Sequence, residues 1–292
     1  MVEADKLAGV DGKRGGWRSP EGEPAAPSPG ALGWGLIALR LPLMALVVFG
    51  GLAILLALRL IERPLFGLRR PVTPFITQGV CRAVLVILGL RLRRQGRVMR
   101  QRGAMVANHV GWLDIFVINA LQRVYFVSKA EVARWPGIGW LARATGTLFI
   151  RREARDARLQ KELFEARLRA GHHLCFFPEG TSTDGQRVLD FKPTLFAGFF
   201  AHGLAEILSI QPVTLVYSAP AGEDARFFGW WGEMAFFPHL LRVAAARRRG
   251  TVLVLFHEPL EVAAQGDRKA LARACEAAVR AGMAARAGME AP

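Results

Sequence analysis

Two polar residues interrupt the apolar run VANHVGWLDIFV (106–117): His109 and Asp114, five positions apart. An imidazole whose one nitrogen donates to a carboxylate is held in a single tautomer. Its other nitrogen can then take a proton from a hydroxyl. On one continuous helix, residues five apart are separated by about 140° around the axis and could not meet. The pair must therefore straddle a bend. AMVA (104–107) reads as a buried strand, Asn108 and His109 leave its C-terminal end, Gly111 permits the turn, and a helix beginning in WLDIFVINAL returns the aspartate beneath the imidazole.

A histidine five residues before an aspartate arises often by composition alone, so a second marker is required. About seventy residues on, LCFFPEGTSTDG ends another apolar run and enters a turn of small residues, Pro178 to Ser182, suited to face a ligand. Further apolar runs read as buried strands at 124–128 (VYFVS), 147–150 (TLFI), 174–177 (LCFF), 210–216 (IQPVTLV) and 251–256 (TVLVLF). The charged, periodic stretches 153–170 and 267–286 read as helices between and after them. Such alternation predicts an α/β fold with a mixed, largely parallel sheet flanked by helices.

The part before this domain differs in composition. Residues 1–30 are rich in Gly, Pro, Ala and charge and read as a disordered tail whose removal should be silent, not as a signal peptide. Leu41 to Leu58 is an 18-residue uncharged run, about 27 Å as a helix against a hydrocarbon core of roughly 30 Å. It is long enough to anchor, whether it spans the bilayer or, weakened by Pro42 and Gly50–Gly51, only dips into it. Phe75, Ile76, Val80, Val84, Ile87 and Leu88 then recur at helical spacing, which suggests an amphipathic helix in the interface.

The formal charge of +15 is concentrated. Eleven arginines stand between Arg59 and Arg102 against one acid, Glu62. The run RLRRQGRVMRQR (91–102) holds no aromatic side chain, so a stacking platform for single-stranded nucleic acid is excluded, and beside an anchor it reads as a contact with anionic headgroups. The cationic flank at 59–70, set against four cations and five acids in residues 1–31, places the C-terminal bulk on the cytoplasmic face of the inner membrane. The expected organisation is a tail (1–30), a membrane anchor with a basic amphipathic helix (31–100), a catalytic domain (101–262) and a C-terminal helix (263–292). Cys81, Cys175 and Cys275 have neither CxxC spacing nor an even count, and His257-Glu258 lacks the second histidine of a zinc motif, so neither a disulfide framework nor a metal site is expected.

Taken together, NHVGWLD and FPEGTS resemble the first and third motifs of the lysophosphatidic acid (1-acylglycerol-3-phosphate) acyltransferase family. Asn108, His109 and Asp114 match the first. Gly146, Phe149, Ile150 and Arg152 match the second, with Arg151 in place of its acid. Phe177 to Thr181 match the third, with Ser182 where an arginine is usual, and Ile210, Pro212 and Val213 match the fourth. The resemblance implies acyl transfer from a coenzyme A or acyl carrier protein thioester to the hydroxyl of a lysolipid, with no other cofactor. It implies His109 as the base and Asp114 as its orienter, Asn108, Glu179, Gly180 and Thr181 around the acceptor, and Arg152 toward an anionic headgroup. Ser182 cannot supply the charge of the usual arginine, leaving Arg151 or Lys192 as substitutes. PEGTSTDG, FKPTLF and WWGEM look more like the lyso-ornithine lipid branch than the glycerophosphate one.

Two other classes fit less of the chain. A serine hydrolase would need G-x-S-x-G, and GTSTD (180–184) lacks the last glycine. A basic membrane adaptor would explain residues 31–102 but not four ordered motifs. Trp230 and Trp231 read as core or interface aromatics, and His172, His173, His202, His239 and His257 as structural or surface residues.

Overall fold

The computed structural model of the chain describes residues 16–24, 28–150, 157–201 and 203–287. Among them, eight strands form one sheet: β1 (Leu90–Gln95), β2 (Gly103–Ala107), β3 (Tyr125–Lys129), β4 (Leu148–Ile150), β5 (Leu174–Phe176), β6 (Ser209–Ser218), β7 (Gly250–Phe256) and β8 (Leu260–Glu261). The order is β1-β7-β6-β2-β5-β3-β4, with β8 beside the start of β6. Only β6 with β7 and β6 with β8 pair antiparallel, so the sheet is mixed and largely parallel, as expected.

Seven α-helices accompany it among the described residues: α1 (Ala31–Phe66), α2 (Thr73–Ile87), α3 (Leu113–Leu121), α4 (Ile138–Thr145), α5 (Ala157–Arg169), α6 (Phe236–Ala245) and α7 (Arg268–Ala287). The pleat of β2 divides the core in two. Met105 and Ala107 face a cluster with Val84 and Leu85 of α2 and Leu113 and Val117 of α3. Ala104 and Val106 face the other side, with Leu168 of α5 and Leu271, Cys275 and Val279 of α7. Burial on both faces is why the parallel strands read as unbroken apolar runs.

The register sets the site. β2 and β5 are adjacent and parallel, with Val106 opposite Phe176. The chain therefore leaves both strands side by side, in the crevice at their carboxyl ends where α/β sheets place ligands.

Three expectations change. The basic run is partly a strand: Leu90–Gln95 pairs with β7 at the sheet edge, so the α/β unit begins before residue 101, and α7 is packed into it rather than appended. Exposed Arg91, Arg93 and Arg94 on an edge strand also discourage pairing with another chain. Second, α2 is amphipathic but turns its apolar face inward, with Cys81, Val84 and Leu85 buried. Third, the 1–30 segment is not wholly a tail. Trp17 and Ser19 are buried, and residues 16–24 lie against the loop after β5. Residues 1–15 and 25–27 lie outside the described residues.

The apolar run becomes part of a longer helix, with α1 continuing through Pro42 and both glycines for 36 residues, about 54 Å. Gly51 marks where α2 crosses it, since a Cβ there would lie 2.3 Å from Val80 Cγ2. The far end is clasped by Glu62, whose Oε1 accepts the N–H groups of Val72 (2.7 Å) and Thr73 (3.1 Å) and whose Oε2 accepts the Thr73 hydroxyl (2.6 Å) and Arg59 Nη1 (3.0 Å). Glu62→Ala should leave those buried donors unmatched and cost about 2–4 kcal/mol. Thermal unfolding in detergent should show a clearly lower midpoint; an unchanged midpoint would mean that the α1–α2 junction does not depend on the clasp.

Candidate active site

Asn108 ends β2 by prolonging its pairing through the side chain. Its Oδ1 accepts the Leu215 N–H (2.8 Å) and its Nδ2 donates to the Leu215 carbonyl (2.9 Å). The residue is fully buried with its amide committed to β6, so it orders the strand end and does not line an acceptor pocket as expected.

His109 follows, gripped by its backbone from both sides. Its N–H donates to Glu179 Oε2 (3.0 Å), and its carbonyl accepts the Thr183 N–H (2.8 Å) and hydroxyl (3.2 Å). The chain then reverses over Val110 and Gly111 into α3. This turn needs no left-handed backbone at Gly111. The glycine supplies room, because a Cβ there would lie 3.0 Å from the Trp230 Cβ.

The reversal brings Asp114 under the imidazole. Asp114 Oδ2 accepts His109 Nδ1–H at 2.7 Å and the N–H groups of Val110 (2.7 Å) and Gly111 (3.0 Å), while Oδ1 accepts the Tyr217 hydroxyl (2.8 Å). The carboxylate is sealed from solvent and the imidazole is 23% exposed. With Nδ1 carrying the proton toward Asp114, Nε2 presents its lone pair outward. Phe177 stacks on the ring at 4.0 Å and 9°, fixing its plane. Burial, and then the charge of Asp114, push the Tyr217 phenol well up, so it stays a donor.

The loop after β5 completes the site. Glu179 is 1% exposed and spends both oxygens on backbone, Oε2 on His109 and Oε1 on the Leu189 N–H (3.1 Å). It therefore braces the two loops rather than shaping an acceptor pocket. Gly180 has φ +72°, and a Cβ on it would lie 2.7 Å from Lys192 Nζ, so the lysine folds directly against the turn. Thr181 and Ser182 form the half-buried tip. Arg151 and Arg152 lie outside the described residues, as does His202. Among the described residues, no group of three or more His, Cys, Asp or Glu side chains converges as a metal site.

Several contributors were invisible in sequence. Tyr217 stands 103 positions from Asp114 at the end of an apolar strand, and nothing local marks it. Thr183 and Phe177 lie inside the marked loop, but their hold on His109 depends on strand register. Trp231 is core, while Trp230 packs against Gly111 and Trp135. His239, 3% exposed, accepts from Trp112 Nε1 (3.0 Å) and plays a structural part.

A histidine locked by a buried aspartate at the mouth of a largely parallel sheet has the arrangement of a positioned general base. Residues 90–216 match the family model described as Acyltransferase. The chain is 59% identical over 270 residues to lyso-ornithine lipid O-acyltransferase from Rhodobacter capsulatus, covering 92% of this chain and 98% of that one. It is 38% identical over 242 residues to the enzyme of the same name from Pseudomonas aeruginosa, covering 82% and 89%. The chain belongs to this acyltransferase family and is an acyltransferase. The crystal structure of the 1-acyl-sn-glycerophosphate (LPA) acyltransferase PlsC from Thermotoga maritima shares the fold, with a TM-score of 0.60 at 20% identity over 89% of this chain and 95% of that one.

Burial pushes the Glu179 carboxyl from 4.5 up to about 8 in spite of its two N–H donors. A raised carboxyl pKa stabilises the fold fully below the unfolded value of 4.5, and this contribution is lost as pH rises through about 8. Glu179→Gln cannot accept from both N–H groups and should lower the unfolding midpoint most below about pH 4.5. The gap to the unaltered protein should narrow as pH rises from there to about 8 and stay level above it. A gap that widens with pH would contradict this assignment.

Proposed function

We propose that the chain transfers a fatty acyl group from an acyl carrier protein or coenzyme A thioester to the hydroxyl of a lysolipid, lyso-ornithine lipid in preference to 1-acylglycerol-3-phosphate. The observation that carries this reading is the 2.7 Å bond from His109 Nδ1 to Asp114, which leaves Nε2 as the basic nitrogen. In the proposed step Nε2 takes the acceptor's hydroxyl proton as its oxygen bonds to the thioester carbonyl carbon. The tetrahedral intermediate then collapses, the C–S bond breaks, and the imidazolium returns the proton to the departing thiolate. Thioester activation makes a covalent enzyme intermediate unnecessary. A positioned base contributes typically 10²–10⁴-fold.

Ser182 supports the acceptor preference, since the position where an arginine is usual carries a hydroxyl here, and the cation beside the turn is the more weakly directing ammonium of Lys192. The similarity to two lyso-ornithine lipid O-acyltransferases supports the same choice.

We further propose that α1 lies in the membrane plane and does not cross. Its 36 residues exceed what a span needs, and the segments at both of its ends rest on the same body. Before it, Trp17 docks beside the loop after β5; after it, α2 buries Val84 and Leu85 in the core with Met105 of β2; along it, Arg40 Nη1 donates to the carbonyls of Ala244 (2.9 Å) and Ala246 (2.7 Å). The opposite face leaves Leu39, Leu46, Phe49, Ile54, Leu60 and Leu65 exposed, a continuous apolar strip for one leaflet. The arginines of β1 favour the anionic cytoplasmic leaflet of the inner membrane.

His109→Ala should abolish nearly all transfer while preserving folding and vesicle binding, and Asp114→Asn should cost less or comparably through loss of the tautomer lock. Near-normal turnover by His109→Ala would overturn the mechanism. For the acceptor, kcat/KM should favour lyso-ornithine lipid over lysophosphatidic acid, and Ser182→Arg should narrow the ratio, because a well-placed charged bond to phosphate contributes about 1.5–3 kcal/mol. A wide initial preference for lysophosphatidic acid would refute the aminolipid reading.

For the membrane, replacing Arg91, Arg93, Arg94 and Arg97 by Gln should weaken binding to anionic vesicles, most strongly at low salt. Equal binding at all salt concentrations would reduce these arginines to guards of the sheet edge.

A further inference from the structure

We propose that residues 16–24, ahead of the membrane-facing helix, form the acceptor-side wall of the active site and help to set its affinity for the lysolipid. This rests on the acyl-transfer reading above and goes beyond it, because neither the motifs nor the paired catalytic residues include any part of this segment.

The segment is built into the site. Trp17 is 4% exposed, sits edge-on to Trp231 at 6.2 Å and carries the Arg187 guanidinium 5.3 Å from its ring centroid. Its N–H donates to Thr181 Oγ1 (3.2 Å). The Ser19 hydroxyl lies 3.4 Å from Asp184 Oδ2, an oxygen that also pairs with Arg187 (3.0 Å). Glu21 meets the same arginine, and Arg226 Nη1 donates to the Gly22 carbonyl (3.1 Å). Asp184 is 1% exposed, so the strap helps to cover and balance a charge that would be costly to bury alone.

Its position gives this packing a function. Thr181 and Ser182 are the tip of the loop that grips His109 at Glu179 and Thr183, and the strap closes over that tip. The strap and the loop tip are thus joined, so the side of the site that Thr181 and Ser182 form includes the strap. The same segment precedes in sequence α1, which begins at Ala31 and leaves an apolar face exposed. Of the two reactants, the lysolipid is the one held in the membrane, while a thioester on a carrier arrives from water. The wall continuous with the membrane-facing helix therefore belongs to the acceptor.

The test uses the full chain, a variant lacking residues 2–24, and Trp17→Ala, each assayed in mixed vesicles with lyso-ornithine lipid varied at saturating acyl thioester and then the reverse. Expected is a rise in acceptor KM of about tenfold or more, with thioester KM unchanged and kcat within about threefold. A milder variant, Ser19→Ala, should move the same parameter in the same direction by a smaller factor, and it reports even if the truncated chain does not fold. Unchanged acceptor KM in folded Trp17→Ala and Ser19→Ala would overturn the wall, as would a fall in kcat alone, which marks mere support of the catalytic loop. A rise in thioester KM instead would place the strap on the donor side and equally overturn it. No transfer by the unaltered chain to any lysolipid would defeat the acyl-transfer reading itself, an outcome separable from the others.

Discussion

The buried carboxylate of Asp114 organises this molecule. A charge with no exposure to water is tolerable only when donors replace its hydration, and here four converge on it: two backbone N–H groups of its own turn, the imidazole of His109 and the phenol of Tyr217. These donors come from the turn after β2 and from the end of β6, so the carboxylate can be satisfied only when those elements are in their final places. The tautomer of His109 is a by-product of that requirement. One nitrogen is needed to solvate the aspartate, and the other is left to do chemistry.

A second buried acid, Glu179, is satisfied by backbone one strand away and is held neutral by its burial. Glu179 joins the backbone of His109 to that of Leu189, and its placement follows from the parallel register of β2 against β5. Packing two acids this deeply costs stability that apolar side chains of the same size would not. What the fold obtains is a loop tip, Thr181 and Ser182, held at a fixed distance from the imidazole. Asn108 serves the same end from the other side by tying the strand exit to β6. Residues that sequence comparison alone would place around a substrate thus act as supports for the one residue whose lone pair is free.

The N-terminal region meets a different constraint. α1 is far too apolar on one face for water, yet its other face is committed to α2, α6 and the clasp at Glu62. A helix with one face packed and one face bare is suited to lie along a bilayer surface rather than to pass through it. On the reading proposed above, the bilayer lies along that bare face, on the helix that follows the strap at 16–24 in the chain. Exposed arginine on the edge strand β1 keeps the sheet edge from self-pairing.

Much of this was legible in the residues. The spacing of His109 and Asp114 excludes a single helix, so the bend, the strand before it and the helix after it follow from geometry alone, and the apolar runs locate six of the strands within a residue or two. The motif order identifies the chemistry. Other features were not legible, for one physical reason: they depend on contacts between segments far apart in the chain. Leu90–Gln95 carries strand-breaking charge density and becomes a strand only because β7 offers it a partner. Residues 16–24 have the composition of a tail and become ordered only because Thr181, Asp184 and Trp231 meet them. Glu179 belongs to a recognisable motif, yet its work as a brace appears only when β2 and β5 lie side by side. Local sequence determined which groups could react; the register of the sheet decided which of them are left free to do so.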